Sequence, residues 1–359
     1  AFSNKFPNIA VETTLNGIDY QSNLLTMIAS NTMPDIVMGE YQGMYDLGSA
    51  GHLADISNEP FISNFSKDIL TQMTAPDGKV YGLPTNIAAM GIFYNQEMFE
   101  RAGIAEFPKT ISAFEEACRK LKAAGFIPFS VAGSEAWTLG QMFFVEIASV
   151  QPDVLKFSSQ SAGKPGADIM LDKMLSGLKS LDIQFRNAID TAPSNDYGTF
   201  LNDFASGKVA MIQMGTWALK SIMDMNPGFT VRYGAPPFTE NPRDPRLSAN
   251  IGVSVAIGAQ TKHKAEALQL FDYLASAEGN TEFGRLFGEI PVIPGAQFNY
   301  TPCTSDIKQY IDAGAICPWS QVLMTEAGRS EGSIIMQSYY FGQISAEEAV
   351  KGVYDNWFK

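Results

Sequence analysis

Short apolar runs and stretches with helical spacing alternate along most of the 359 residues. Residues 9–13 alternate between apolar and polar and predict a strand. Asp19 is positioned to cap a helix that carries Tyr20, Leu24, Met27 and Ile28 on one face, with Ser30, Asn31 and Pro34 ending it. Residues 35–38 predict a buried strand, and Gly39 opens a loop. Strand, helix and strand in so short a span form a βαβ unit.

Residues 79–84 and 90–94 predict strands on either side of a loop at 85–88. A short helix runs from Gln96 to Gly103. Thr110 then caps a longer one with Ile111, Phe114, Ala117 and Leu121 at helical spacing, and Gly125 terminates it. Strands follow at 126–131, 209–214, 229–236 and 251–259. Helices follow at 139–149, 173–187, 198–205 and 265–275, the last ending before Gly279. Gly215 opens another helix through Trp217. Residues 158–166 read as a Ser/Gly/Pro loop, and the polar, proline-rich stretch 237–249 as a crossing between domains. Ser345 and Glu348 make a capping box for a final helix with Ala349, Val350, Val353 and Trp357 on one side. Strands alternating with helices imply α/β layers with largely parallel sheets. At ~100–200 residues per domain the length suggests about two domains.

Charge narrows the partners. The chain carries 38 acidic against 25 basic residues, a net charge of -13. That argues against nucleic acid, whose phosphates need clustered Lys and Arg, and against direct contact with anionic lipid. No apolar run approaches the ~18–20 residues of a membrane span. The start, Ala1-Phe2-Ser3, has no charged region followed by an apolar one, so an export signal is expected to have been removed or never to have existed.

Candidate chemistry is sparse. His52 and His263 are the only histidines, which leaves little room for a histidine metal site or a catalytic triad. No metal or cofactor is implied. Cys118 falls in a helical pattern and reads as core, whereas Cys303 and Cys317 could bridge if geometry allows. Gly-Lys at Gly78, Gly163 and Gly207 is followed by Val80, Pro165 and Val209, not by the Ser or Thr of a phosphate loop. Gly252-Val253-Ser254-Val255-Ala256 is a residue short of a nucleophile elbow and lies in a strand pattern. Glu135 and Glu146 offer a carboxylate pair, but among 38 acids some pair always exists. The chain reads as a binder before a catalyst.

Several segments resemble one family. DYQSNLLTMIASNTMPDIVMG (19–39), YGLPTNIAAMGIFYNQEMFERAGI (81–104) and PKTISAFEEACRKLKAAGFIPF (108–129) are similar to extracellular solute-binding proteins of ABC sugar importers. So are FASGKVAMIQMGTWAL (204–219), AEALQLFDYLASAEG (265–279) and EIPVIPGA (289–296), in matching order across nearly the whole chain. The resemblance is to the maltose-binding-protein-like, family 1 type. It implies a two-lobed, hinged periplasmic-binding-protein fold of type II, with mixed, mostly parallel sheets and helices on both faces. Lobe one would be 1–92 with 246–297, and lobe two 93–245 with 298–359. The hinge strands would lie near 92–94, 237–249 and 293–298. Ligand would sit in the cleft and favour closure, and the ABC permease subunits would recognise the closed form. The protein would be a monomer outside the cell, periplasmic or tethered by a lipid anchor whose cysteine is not in this sequence. Family members have another strand ahead of the helix that ends here at Phe6-Pro7-Asn8. A central strand of lobe one and the loop after it are therefore expected to be missing from the sequence.

Sugars present apolar faces and rings of hydroxyls, so a site needs aromatic plates with convergent amides and carboxylates. Trp217, at a strand-to-helix turn, matches the family's stacking aromatic, against a core role on the helix behind it. Trp137 and Glu135 lie in the loop 132–138, where the family has an aromatic and an acid. Glu40, Tyr41 and Gln42 follow a strand across Gly39, and a carboxylate or amide there would pair with hydroxyls. Asn86 matches a cleft loop, or is a turn former. Trp319, after Cys317-Pro318, matches an aromatic that closes on the ligand. Asn250 and Glu289 stand at lobe crossings. Trp357 and the sixteen methionines read as core. The expected function is capture of an oligosaccharide for an ABC importer. A receptor for a polyamine, for which Glu40 and Glu135 would supply carboxylates, or for a peptide is the first alternative, and a glycoside hydrolase the second.

Overall fold

The chain passes between two compact units at 88/89, 250/251 and 299/300, so that Ala1–Ala88 joins Ile251–Asn299 and Ala89–Asn250 joins Tyr300–Lys359. The computed structural model describes residues 2–14, 20–150, 167–298 and 301–357.

The first unit is built on the strand Val253–Ile257. It pairs antiparallel with Ile36–Glu40 on one side (Val37 opposite Ala256) and with Leu83–Pro84 on the other (Leu83 opposite Val255). Side chains alternate across a pleat, so the two faces feed two cores. Ala256 and Val37 join Leu24, Met44, Leu53 and Tyr81. Val255, Ile257 and Leu83 join Phe61, Ile69, Met73 and Phe271. Both faces are covered, so the strand is apolar except at Ser254, which is itself fully buried.

Irregular segments meet beside this sheet, and two asparagines satisfy their backbones. Asn280, wholly buried, donates Nδ2 to the Thr85 carbonyl at 2.7 Å and accepts the Val292 and Ile293 amides on Oδ1 at 2.8 and 3.0 Å. Asn86 Oδ1 accepts the Val253 amide at 2.8 Å, and its carbonyl accepts the Gly252 amide at 3.0 Å.

The strand Asn86–Asn95 continues into the second unit. There it is flanked on both sides by antiparallel partners, Val209–Gly215 and Val231–Gly234. Ile127–Phe129 adds in parallel to the first of these, and Ile316–Cys317 pairs in parallel with Leu247 and Ser248. The helix Ile111–Ala123 lays Phe114, Ala117, Cys118 and Leu121 on the core with Phe99, Phe129 and Met211. Thr110 Oγ1 caps it by accepting the Ala113 amide, and Gly125 leaves it with φ 85°. The capping box forms as the spacing predicts: the Ser345 amide donates to Glu348 Oε2 at 2.7 Å and the Glu348 amide to Ser345 Oγ at 3.2 Å. That starts the helix Ala346–Trp357, whose Trp357 is fully buried edge-on to Phe144.

Several expectations need correction. Residues 9–13 form no strand; they run over the surface, Val11 being half exposed, with no ladder to join. The strand expected at 79–84 shrinks to Leu83–Pro84, and the loop expected at 85–88 is strand from Asn86 onward. The loop after Gly39 is instead the helix Tyr41–Ser49, and the helix after Ala132 begins at Ala136. A helix at Ala277–Phe287 was not anticipated. The sheets are mixed as the type II fold implies, but the ladders of Asn86–Asn95 and Val253–Ile257 given above are antiparallel, so "mostly parallel" does not hold for them. Cys303 and Cys317 do not bridge; they are buried in a helix and a strand respectively. The Asp19 cap and the loop 158–166 lie outside the described residues.

Asn280→Ala should destabilise the protein by ~3–5 kcal/mol, because one carbonyl and two amides lose their partner in a dry core. Urea unfolding, read as a fall in midpoint at constant slope, measures it.

Candidate functional site

The buried strand Val209–Gly215 ends where the backbone turns through Thr216–Ala218 into the helix Leu219–Asp224. Thr216 Oγ1 ties that turn to the Ala89 amide at 3.2 Å. The Trp217 ring folds back over Gly215: a Cβ there would stand 2.0 Å from Trp217 Cζ3, so only glycine lets the indole lie in this position. Trp319 stands behind it, ring centroids 6.0 Å apart at 81°. Trp319 is 7% exposed and its Nε1 donates to the Ser248 carbonyl at 2.9 Å, so its polar edge is spent inward. Trp217 keeps part of its ring open to solvent. The edge-to-face pair presents one fixed aromatic plate with a second as its buttress.

A second aromatic group forms in the same unit. Trp137 lies in the first turn of the helix Ala136–Val150 and is 41% exposed. Its Nε1 donates to Glu135 Oε2 at 3.2 Å, and Tyr197 lies 5.3 Å away at 52°. Tyr197 did not come forward from the sequence. The signal lay in Asp196 and Thr199, a cap that puts Tyr197 in the first helical position of Tyr197–Ala205. Asn250, buried at the end of this unit, lies in the strand Leu247–Ile251.

The remaining candidates belong to the first unit. Glu40 ends its strand on the surface, and Tyr41 opens the next helix, packed partly on the Phe61–Phe271 core and edge-on to Tyr45 at 5.6 Å. The Gln42 side chain lies outside the described residues. Asn86 is buried in a strand, and its amide oxygen is committed to Val253. Glu289, after the left-handed Gly288 that ends Ala277–Phe287, is 8% exposed with Oε2 unpartnered. Burial pushes its carboxyl up to about 7, and a hydrogen bond with Asn86 opposes that only in part. The structure thus brings Trp217 to Trp319, Glu135 to Trp137, and Asn86 to Glu289. Among the described residues no cluster of His, Cys, Asp and Glu could hold a metal, and no helix is long and apolar enough to cross a membrane. Ser254 is fully buried within its strand, away from any strand-to-helix turn.

Two α/β units joined by three chain passages have the architecture of type II solute-binding proteins. The protein described as "SBP RafE in complex with raffinose" matches with a TM-score of 0.84 at 22% identity, over 99% of this chain and 93% of that one. The chain belongs to the bacterial extracellular solute-binding protein family, whose model matches residues 1–313; it is a family of binding proteins, not of enzymes. Among curated relatives, the multiple sugar-binding protein of Streptococcus mutans serotype c is 25% identical over 82% of this chain and 71% of its own length. The maltooligosaccharide ABC transporter solute-binding lipoprotein of Streptococcus pneumoniae is 25% identical over 73% of this chain and 60% of its own.

Glu289 makes stability depend on pH in an unusual direction. Its folded pKa of about 7 lies above its ordinary 4.5, so between these values the folded state binds more protons than the unfolded. Its contribution is complete below pH 4.5 and is lost as pH rises to about 7. Glu289→Gln should abolish that slope and make the protein more stable than wild type at pH 8, by at most ~3 kcal/mol. Chemical unfolding of both proteins across pH 5–8 checks it.

Proposed function

We propose that the protein captures an oligosaccharide outside the cell and delivers it to the permease of an ABC importer, the two units closing about their connecting strands to hold it. The observation that carries this reading is the Trp217–Trp319 pair: a partly exposed indole held rigidly by a buried one. Such a plate suits the apolar face of a sugar ring, and it binds without first having to be ordered. The half-exposed Trp137 with Glu135 and Tyr197 supports a second contact zone, combining a ring with a carboxylate acceptor for hydroxyls. The acidic chain fits an uncharged ligand better than an anionic one, which would draw Arg or Lys to these turns. The names of the relatives, a multiple sugar-binding protein and a maltooligosaccharide-binding lipoprotein, point the same way. Tyr41, Glu40 and Gln42 are proposed as contacts from the first unit, with Glu289 and Asn250 near the passages. We assign Asn86 a supporting role, since its side chain is bonded inward. A monomeric protein held at the cell surface by a lipid anchor, or free in a periplasm, completes the reading.

A thermal-shift screen of neutral oligosaccharides, polyamines and peptides should raise the melting temperature with one or more oligosaccharides alone, because only the folded protein binds. Calorimetry with that glycan should give unaltered sugar at the end. Cleavage products, or a shift with polyamines only, would overturn the proposal. Trp217→Ala should weaken binding at least about tenfold with the fold intact, the loss of ~2 kcal/mol typical of a desolvated aromatic anchor.

A further inference from the structure

We infer that Asp203 is a positioning residue for the carbohydrate contact zone: its buried carboxylate stitches together the two loops that carry Trp137 with Glu135 and Tyr197. The inference rests on the reading of Trp137 as ligand-facing.

Asp203 lies in the helix Tyr197–Ala205 with its side chain 2% exposed. Its Oδ2 accepts from Ser130 Oγ and from Asn195 Nδ2, both at 2.8 Å, and its Oδ1 accepts from Lys208 Nζ at 2.9 Å. Ser130 and Asn195 also touch each other, Nδ2 to Oγ at 3.1 Å. From these two residues the stitching runs outward. The Ser134 amide and hydroxyl both donate to the Asn195 carbonyl, at 3.2 and 2.9 Å, and the Gly133 amide donates to the Ala192 carbonyl at 3.0 Å. The loops are so close that a Cβ on Gly133 would stand 2.6 Å from that carbonyl oxygen. One loop then leads to Glu135 and Trp137. The other leads through the Asp196 cap to Tyr197, which meets the Trp137 ring at 5.3 Å.

Stability alone is a poor reason for this arrangement. A buried carboxylate costs desolvation that its partners seldom more than repay. Here the single cation, Lys208, is 48% exposed and screened by water. What the carboxylate supplies is two directed acceptor positions, each holding a different loop. Support of that kind fixes contact residues within the narrow tolerance that recognition needs.

The test uses the full chain and a glycan that wild type binds. Asp203→Ala should weaken binding about tenfold, whereas Asp203→Asn, whose amide oxygen still accepts from Ser130 and Asn195, should stay within about threefold. Lys208→Met should lower the melting temperature and leave affinity unchanged. In a Trp137→Ala background the Asp203→Ala loss should shrink below about twofold, since the two act through one ring. A ligand-free readout accompanies these: the near-ultraviolet circular dichroism that Trp137→Phe removes from wild type should already be absent in Asp203→Ala. Should Asp203→Ala not fold, Asn195→Ala carries the same measurements. Unchanged affinity in the Asp203 or Asn195 variant, a loss that persists in full without Trp137, or an intact Trp137 signal would each overturn the inference. If wild type binds no glycan, the proposed function fails, while the spectroscopic arm still decides the role of Asp203.

Discussion

Backbone polarity at the chain passages is the constraint on which the rest depends. A chain that leaves one unit and returns must place irregular backbone next to a dry core, where each unpaired amide or carbonyl costs as much as a lost hydrogen bond. Regular ladders cannot serve every such group, because the segments around Thr85, Gly252 and Val292 do not run alongside one another for long. Asn280 and Asn86 resolve this with side chains that offer a donor and an acceptor at once. With those groups satisfied, the apolar faces of Val253–Ile257 can be buried on both sides, and the strand Asn86–Asn95 can leave the first unit and become the spine of the second.

The same economy governs the aromatic groups. Trp319 spends its N–H on a backbone carbonyl and gives its ring to Trp217; Trp137 spends its N–H on Glu135. Each indole is thereby held by its polar edge, and its face is what remains to offer. A rigid face loses little entropy on contact, so on the proposed reading more of the interaction energy survives as affinity.

Elements whose signals are local were legible in the sequence. Thr110 and Gly125 bound one helix, and Ser345 with Glu348 opens another, because a cap involves neighbours three or four residues apart. Trp217 was legible as lying at a strand-to-helix turn, and the glycine that makes room for its ring stands two places before it. The misreadings share a cause: the partner lies beyond the three or four residues that a local signal spans, five residues away in the nearest case and more than a hundred in the farthest. The helix Tyr41–Ser49 contains Gly43 and Gly48, poor helix formers, yet Gly48 is what allows Tyr81 to pack against it. In Ala277–Phe287, Gly279 and Gly284 look like breakers, but they permit close approach to Tyr273 and to Glu289. Asn86 is a turn former by type, and only its pairing with Pro291 reveals it as a strand residue. Tyr197 gave no sign in the sequence of its contact with Trp137, because nothing local brings the two together; loops from two sequence regions do.

On the proposed reading, selectivity must come from elsewhere than the plates. A ring face accepts any apolar sugar surface, and a stacking contact distinguishes sugars weakly. Discrimination between hydroxyl patterns needs polar groups that suffer when left unpaired. Glu135 meets that description, being partly buried and already bound to Trp137 through one oxygen, which directs the other. Glu289 meets it in a different way: a carboxyl held near neutrality by burial can donate as well as accept. A ligand that reached the unpartnered Oε2 of Glu289 would supply the bond that the folded protein leaves unmade. On the proposed reading the choice between sugars falls to these two carboxyls, and the indoles supply the affinity on which that choice acts.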